Sequence, residues 1–120
     1  MGVVRGRTVL VVDDDASIRF LCRVNFELEG WVVRDASTLA DARAALADGR
    51  VAVVLLDVHV GNDSGVDFLD EVRRNHPKTP VVMLTGSVGG STLAGATPDG
   101  VITKPFRLDE LVETAERLAG

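Results

Sequence analysis

The sequence predicts an α/β domain built on one five-stranded parallel sheet with helices on both faces. Two observations carry this. Short β-branched apolar runs alternate with amphipathic stretches along the whole 120 residues, and that alternation is the signature of strands joined by helical crossovers. Several of the runs are apolar on consecutive positions rather than on every second one. A strand reads that way when both of its faces are buried.

In chain order, the predicted strands are TVLVV (8–12), WVVRD (31–35), VAVVLLD (51–57), PVVMLT (80–85) and GVITK (100–104). The first, third and fourth are the most continuously apolar and are expected at the centre. Residues 16–29 predict the first helix, with Ile18, Leu21, Cys22 and Leu28 inward; Asn25 falls on the same face, an odd residue for a core. Residues 38–47 form an Ala-rich helix with Leu39, Ala42 and Leu46 inward and Gly49 as a stop. Residues 65–75 carry Val66, Leu69 and Val72, with Ser64 as N-cap. The last helix turns Leu108, Leu111, Val112, Ala115, Leu118 and Ala119 to one side.

The fourth crossover is weak. GSVGGSTLAGATPDG (86–100) holds five glycines and one proline in fifteen residues, and each interior glycine costs a helix about 0.5–1 kcal/mol relative to alanine. A short or irregular helix over STLAGA, capped by Ser91, is the most it supports. TPDG (97–100) reads as a type I turn into the last strand.

A chain of this length makes one domain, 1–120, and no output domain is visible in it. The net charge of −5, with 13 scattered basic residues, argues against a nucleic-acid surface. Single Cys22 cannot form an internal disulfide and is expected in the core. The longest apolar run, Val51–Leu56, is far short of a membrane span, and the N-terminus lacks a signal-peptide pattern. These features predict a cytoplasmic protein without membrane contact. Trp31 is expected to cover the start of the second strand, and His76 to sit at a helix C-terminus. The glycines at 86–90 are not followed by the helix that a phosphate-binding fingerprint requires.

The chemistry collects at the ends of the strands. In open parallel α/β sheets, ligands bind outside the carboxyl ends. Here the first strand ends in Asp13 and Asp14, followed by Asp15; the third ends in Asp57; the fourth in Thr85; the fifth in Lys104-Pro105. Each polar residue directly follows an apolar run. A strand order of 2-1-3-4-5 would bring the carboxylates together. Three close carboxylates repel one another unless some are protonated or a cation offsets them. Mg²⁺ is such a hard, oxygen-seeking cation. A carboxylate beside it can act as a nucleophile toward phosphorus, with Lys104 and Thr85 as partners for the transferred charge. Asp15 is expected to cap the first helix.

VLVVDDD, VVLLDVHVGNDSG, VVMLTGS and ITKPF, in this order and each at a strand end, resemble the receiver domain of bacterial response regulators, the CheY-like fold. The resemblance covers essentially the whole chain and supplies the 2-1-3-4-5 order of the flavodoxin-like, doubly wound (βα)5 class. It implies that Asp57 is the phosphoacceptor. It implies Mg²⁺ held by Asp14, by Asp13 through water, by Asp57 and by the backbone carbonyl of His59. Thr85 would bond a phosphoryl oxygen and Lys104 would pair with its charge, and Lys104-Pro105 matches a step that is usually cis. The implied partner is a histidine kinase or phosphotransfer domain, with no catalytic activity beyond the domain's own phosphorylation and dephosphorylation.

Several positions depart from the family pattern. Val60-Gly61 replaces Met-Pro, and Ser64-Gly65 replaces Asp-Gly. Val101 stands where an aromatic residue commonly switches, so the readout is expected to be unusual, for instance by ordering of 86–100. Two other functions compete. A pseudo-receiver would act only as a protein-interaction module. A haloacid-dehalogenase-like phosphatase would use Asp13 and Asp15 as a D-x-D pair, but its second acidic pair could only be Asp109 and Glu110, inside a helix.

Overall fold

A computed structural model describes residues 6–86 and 97–120. Seven strands and four helices are formed among these residues: β1 (Thr8–Val12), α1 (Ala16–Leu28), β2 (Val32–Ala36), α2 (Leu39–Ala47), β3 (Val51–Asp57), β4 (His59–Val60), β5 (Asp63–Ser64), α3 (Gly65–Asn75), β6 (Val81–Thr85), β7 (Gly100–Thr103) and α4 (Leu108–Ala119). The main sheet has five strands in the order β2-β1-β3-β6-β7, all pairs parallel. Counting its strands alone, this is the expected 2-1-3-4-5. A short antiparallel pair, β4 with β5, lies between β3 and α3 in the chain and was not foreseen. The expected STLAGA helix with its Ser91 cap lies outside the described residues, as does most of the 86–100 segment.

Two cores separate by strand alternation. Leu10, Val12, Val54, Leu56, Val81 and Met83 meet α2 and α3 through Leu39, Leu46, Phe68, Leu69 and Val72. Val9, Val11, Val53, Leu55, Val82 and Leu84 meet α1 and α4 through Cys22, Phe26, Leu111, Val112 and Ala115. Each large aliphatic or aromatic side chain fully buried contributes about 1.5–3 kcal/mol. The continuous apolar runs in the sequence reflect this two-sided burial.

The helix boundaries have local causes. Asp15 caps α1 by accepting from the Ser17 amide at 2.9 Å. Thr38 caps α2 and Ser64 caps α3, each accepting from the amide three residues on. Gly49, at φ 81°, follows the end of α2. Asp99 anchors the turn into β7 by accepting from the Val81 amide and from Arg73, each at 2.8 Å.

One helix face differs from expectation. The core side of α1 is Cys22 and Phe26, with Ile18 packed at the edge, whereas Leu21 and Leu28 point outward. Asn25 is not in the core: its amide nitrogen donates to the Leu21 carbonyl at 2.8 Å on the outer surface. Trp31 lies just before β2 and is buried edge-on against Phe26, with ring centroids 5.4 Å apart.

Candidate functional site

The register of the sheet assembles the site. Val12 pairs with Leu56, so Asp13 and Asp57 leave neighbouring strands in step. Asp57 pairs with Leu84, one residue before Thr85. Thr85 pairs with Thr103, one residue before Lys104. Thus Asp13, Asp57, Thr85 and Lys104 all stand at one carboxyl edge, as expected. The Lys104 amide donates to the Thr85 carbonyl at 2.6 Å, closing that edge. The Lys104-Pro105 bond is cis.

Asp13, Asp14 and Asp57 present carboxylate oxygens that all lie within 4.8 Å of one another. Asp13 is fully buried, Asp57 partly so, and Asp14 faces solvent. One ammonium answers them: Lys104 Nζ lies 2.9 Å from Asp13 Oδ2 and 3.1 Å from Asp57 Oδ2. Burial pushes the Asp13 carboxyl above the usual aspartate range, and the nearby Asp57 charge adds to the rise. The Asp15 amide and Lys104 pull the other way without cancelling it. Burial opposes the Lys104 charge, but its bonds to Asp13 and Asp57 outweigh that and hold its pKa above the ordinary lysine value. Three acids with one ammonium between them leave excess negative charge, and their oxygens, each with two lone pairs, keep capacity for a further ligand. That donor set fits a hard divalent cation such as Mg²⁺.

Main-chain donors fix each acid. The Asp15 amide donates to Asp13 Oδ1 at 2.9 Å, the His59 amide to Asp57 Oδ1 at 3.3 Å, and the Gly61 amide to Asp14 Oδ2 at 3.1 Å. Sequence reasoning noted Gly61 as a departure in this loop but did not anticipate its amide as a donor to Asp14; its φ of 63° turns the loop. It also missed Arg19, which donates from Nη1 to the Asp13 carbonyl at 2.8 Å. Its one signal was a cation one turn into the helix that follows the acids. The His59 side chain is exposed, and its residue pairs with Ser64 across β4 and β5. Burial pushes the Cys22 thiol up to about 12, so it stays protonated and inert.

The phosphatase reading fails on geometry. Asp15 is occupied in capping α1 and does not join the acid cluster. Asp109 pairs with Arg107 at 2.7 Å on exposed α4, away from any strand end.

The response regulator receiver domain profile matches residues 9–116. The chain belongs to the response regulator receiver family. Among relatives of this receiver domain, the probable transcriptional regulatory protein TcrX of Mycobacterium tuberculosis is 36% identical over 111 residues, covering 88% of this chain and 46% of TcrX. The nitrogen assimilation regulatory protein NtrX of Azorhizobium caulinodans is 35% identical, covering 91% of this chain and 25% of that protein. The receiver domain thus spans a quarter to a half of these curated relatives' lengths. Among solved structures, the receiver domain of NtrX from Brucella abortus superposes with a TM-score of 0.81 at 36% identity, covering 92% of this chain and 97% of that one. The chemotaxis response regulator CheY4 of Vibrio cholerae gives 0.81 at 30% identity, covering 96% and 99%. No helix among the described residues is long and apolar enough to cross a membrane.

Proposed function

We propose that this receiver domain accepts a phosphoryl group on Asp57 and signals by the change that follows. The observation that carries the reading is the meeting of Asp13, Asp14 and Asp57 with Lys104 bridging two of them. An Asp57 carboxylate oxygen attacks the phosphorus of a phosphohistidine. The phosphorus–nitrogen bond breaks, its electron pair stays on the imidazole, and an acyl phosphate forms. The donor is a histidine kinase or phosphotransfer domain in the cytoplasm, and the downstream target is a further protein.

Asp13, Asp14, Asp57 and the His59 carbonyl would hold Mg²⁺, which supplies positive charge to the phosphoryl oxygens. Lys104 would pair with the same charge, and the Thr85 hydroxyl would bond a phosphoryl oxygen. The main-chain amides of Asp15, His59 and Gly61 keep the three acids oriented. The domain turns over no other substrate. Val101, exposed on edge strand β7, replaces the aromatic switch of the family, so the signal is read by another element.

The test is intact mass after incubation with Mg²⁺ and acetyl phosphate, for the wild type and Asp57→Asn. One added phosphoryl group, absent in the variant and without Mg²⁺, is expected. No addition under any condition would reject acceptor chemistry and leave an interaction module.

A further inference from the structure

A groove of about 240 Å³ runs between the second half of α1 and α4, some ten residues, or about 15 Å, along α1 from its cap beside the acids. Its floor is apolar: Leu28, Leu108 and Val112. Leu28 is 77% exposed, and Leu21, on the same side of the helix by its spacing, extends the apolar strip. Val24, also exposed, falls between them at helical spacing. A helix that already buries Cys22 and Phe26 thus carries a second, contiguous apolar strip outward, and such a strip marks an interaction surface where a lone side chain would not.

The rim of the groove answers what covers it. Its charged groups are all acidic: Glu29, Asp109, Glu113 and Glu116. Asn25, neutral, gives one amide N–H to the Leu21 carbonyl and retains one N–H and its oxygen. Glu29 and Glu113 line the groove and form no ion pair among the described residues. Glu116 also lines the groove and accepts from the Trp31 indole nitrogen at 3.5 Å. Asp109, at one end, is already matched by Arg107. An apolar floor with an acidic rim complements a helix that carries apolar side chains on one face and Lys or Arg beside them. A second copy of this chain does not fit. A two-fold contact through this face would bring the acidic patch onto an identical acidic patch, and like charge across an interface opposes it.

We infer that the α1–α4 groove docks a basic amphipathic helix of a separate protein, with an apolar anchor seated on Leu28, Leu108 and Val112 and cations on Glu29 and Glu113. This surface is distinct from the phosphoacceptor edge and does not depend on the acceptor chemistry.

The test uses ¹⁵N-labelled protein and three synthetic peptides of equal length. One segregates Leu and Lys on opposite helical faces, one has the same composition with the Leu residues dispersed, and one replaces Lys by Glu. The segregated basic peptide is expected to shift amides within 25–29 and 108–116. Leu28→Ser and the pair Glu29→Gln, Glu113→Gln are each expected to weaken it about tenfold. All three side chains are exposed, so the variants retain the fold. The inference is overturned if the dispersed or acidic peptide binds equally well, or if the shifts spread over other acidic surfaces. It is equally overturned if no peptide binds by about 1 mM, or if sedimentation shows self-association that Leu28→Ser abolishes.

Discussion

Gly65 packs its α-carbon directly against the main chain of Asp57. A β-carbon at Gly65 would overlap the Asp57 carbonyl oxygen and stand 3.0 Å from the Val58 carbonyl oxygen. The Gly65 amide also donates to Val58 at 2.6 Å, so the start of α3 is pinned to the end of the acceptor strand. Two effects oppose each other in Gly65→Ala. Helix propensity favours alanine by up to about 1 kcal/mol. The overlap involves main-chain atoms that cannot swing aside, and overpacking of this kind costs about 1–3 kcal/mol. The clash wins. Urea unfolding is expected to show net destabilisation, together with slower Asp57 phosphorylation because the acceptor carbonyl must move. A stabilised Gly65→Ala would show that α3 can shift freely away from β3.

Lys104 is the one cation paired with the carboxylates of the acid cluster among the described residues; Arg19 reaches only the Asp13 main-chain carbonyl. Replacing it by Met keeps the stem and removes the charge. Asp13, already raised by burial, then rises further, because one of the groups holding it down is gone. Two outcomes are expected. Mg²⁺ binds at least as tightly as in the wild type, since the ion no longer competes with an ammonium for Asp13 and Asp57. Phosphorylation by acetyl phosphate slows by about 10²-fold, the usual loss when one charge-stabilising donor is removed from a transfer site. Calorimetric Mg²⁺ titration beside the phosphorylation rate separates the two. Loss of Mg²⁺ binding would mean instead that Lys104 holds the acids in place.

Asp99 offers a pH dependence away from that site. Burial works to raise its carboxyl, but the Val81 amide and Arg73 outweigh this and hold it below the usual aspartate range. A carboxylate with a depressed folded pKa stabilises the fold fully above its unfolded value of 3.8, and that contribution is lost as pH falls through the folded value. Asp99→Asn is therefore expected to destabilise at pH 7, with the gap to wild type closing as the pH drops below about 4. The Arg73–Asp99 ion pair is partly exposed, so its own share is small, at or below about 1 kcal/mol. Thermal or urea unfolding of both proteins across the acid range checks the trend. A gap that stays constant with pH would assign the effect to shape rather than charge.

The strand ends were legible because a strand buried on both faces is an unbroken apolar run, so its first polar residue marks the carboxyl edge. Asp13, Asp57, Thr85 and Lys104 were found that way. Their convergence needed the strand order, which no local pattern carries and which came from resemblance to a family. Arg19 escaped notice, and Gly61 stood out only as a departure from the family's Met-Pro and not as a donor to Asp14, because both bonds use the main chain, and a main-chain donor or acceptor leaves no residue-type signature. The β4–β5 pair has two residues per strand, too few for any periodicity to register. On α1 the apolar residues occupy more than one side of the helix, so spacing alone could not choose the buried one.

That last ambiguity has a direct test. Phe26 is fully buried, packed edge-on against Trp31 in the core shared with α4, while Leu28, two residues on, is 77% exposed. Truncating Phe26 to Ala removes a ring from a close-packed interior and leaves a cavity, for an expected loss of about 3–5 kcal/mol. Truncating Leu28 to Ala removes atoms that mostly face water and is expected within about 0.5 kcal/mol of wild type. Had Leu28 been the core residue, as the spacing from Leu21 suggested, the two costs would be reversed or similar. Urea midpoints of the two variants, compared at equal slope, decide which side of α1 holds the fold together. A large Leu28→Ala loss would place that side chain inside the core and remove the apolar floor from the α1–α4 groove.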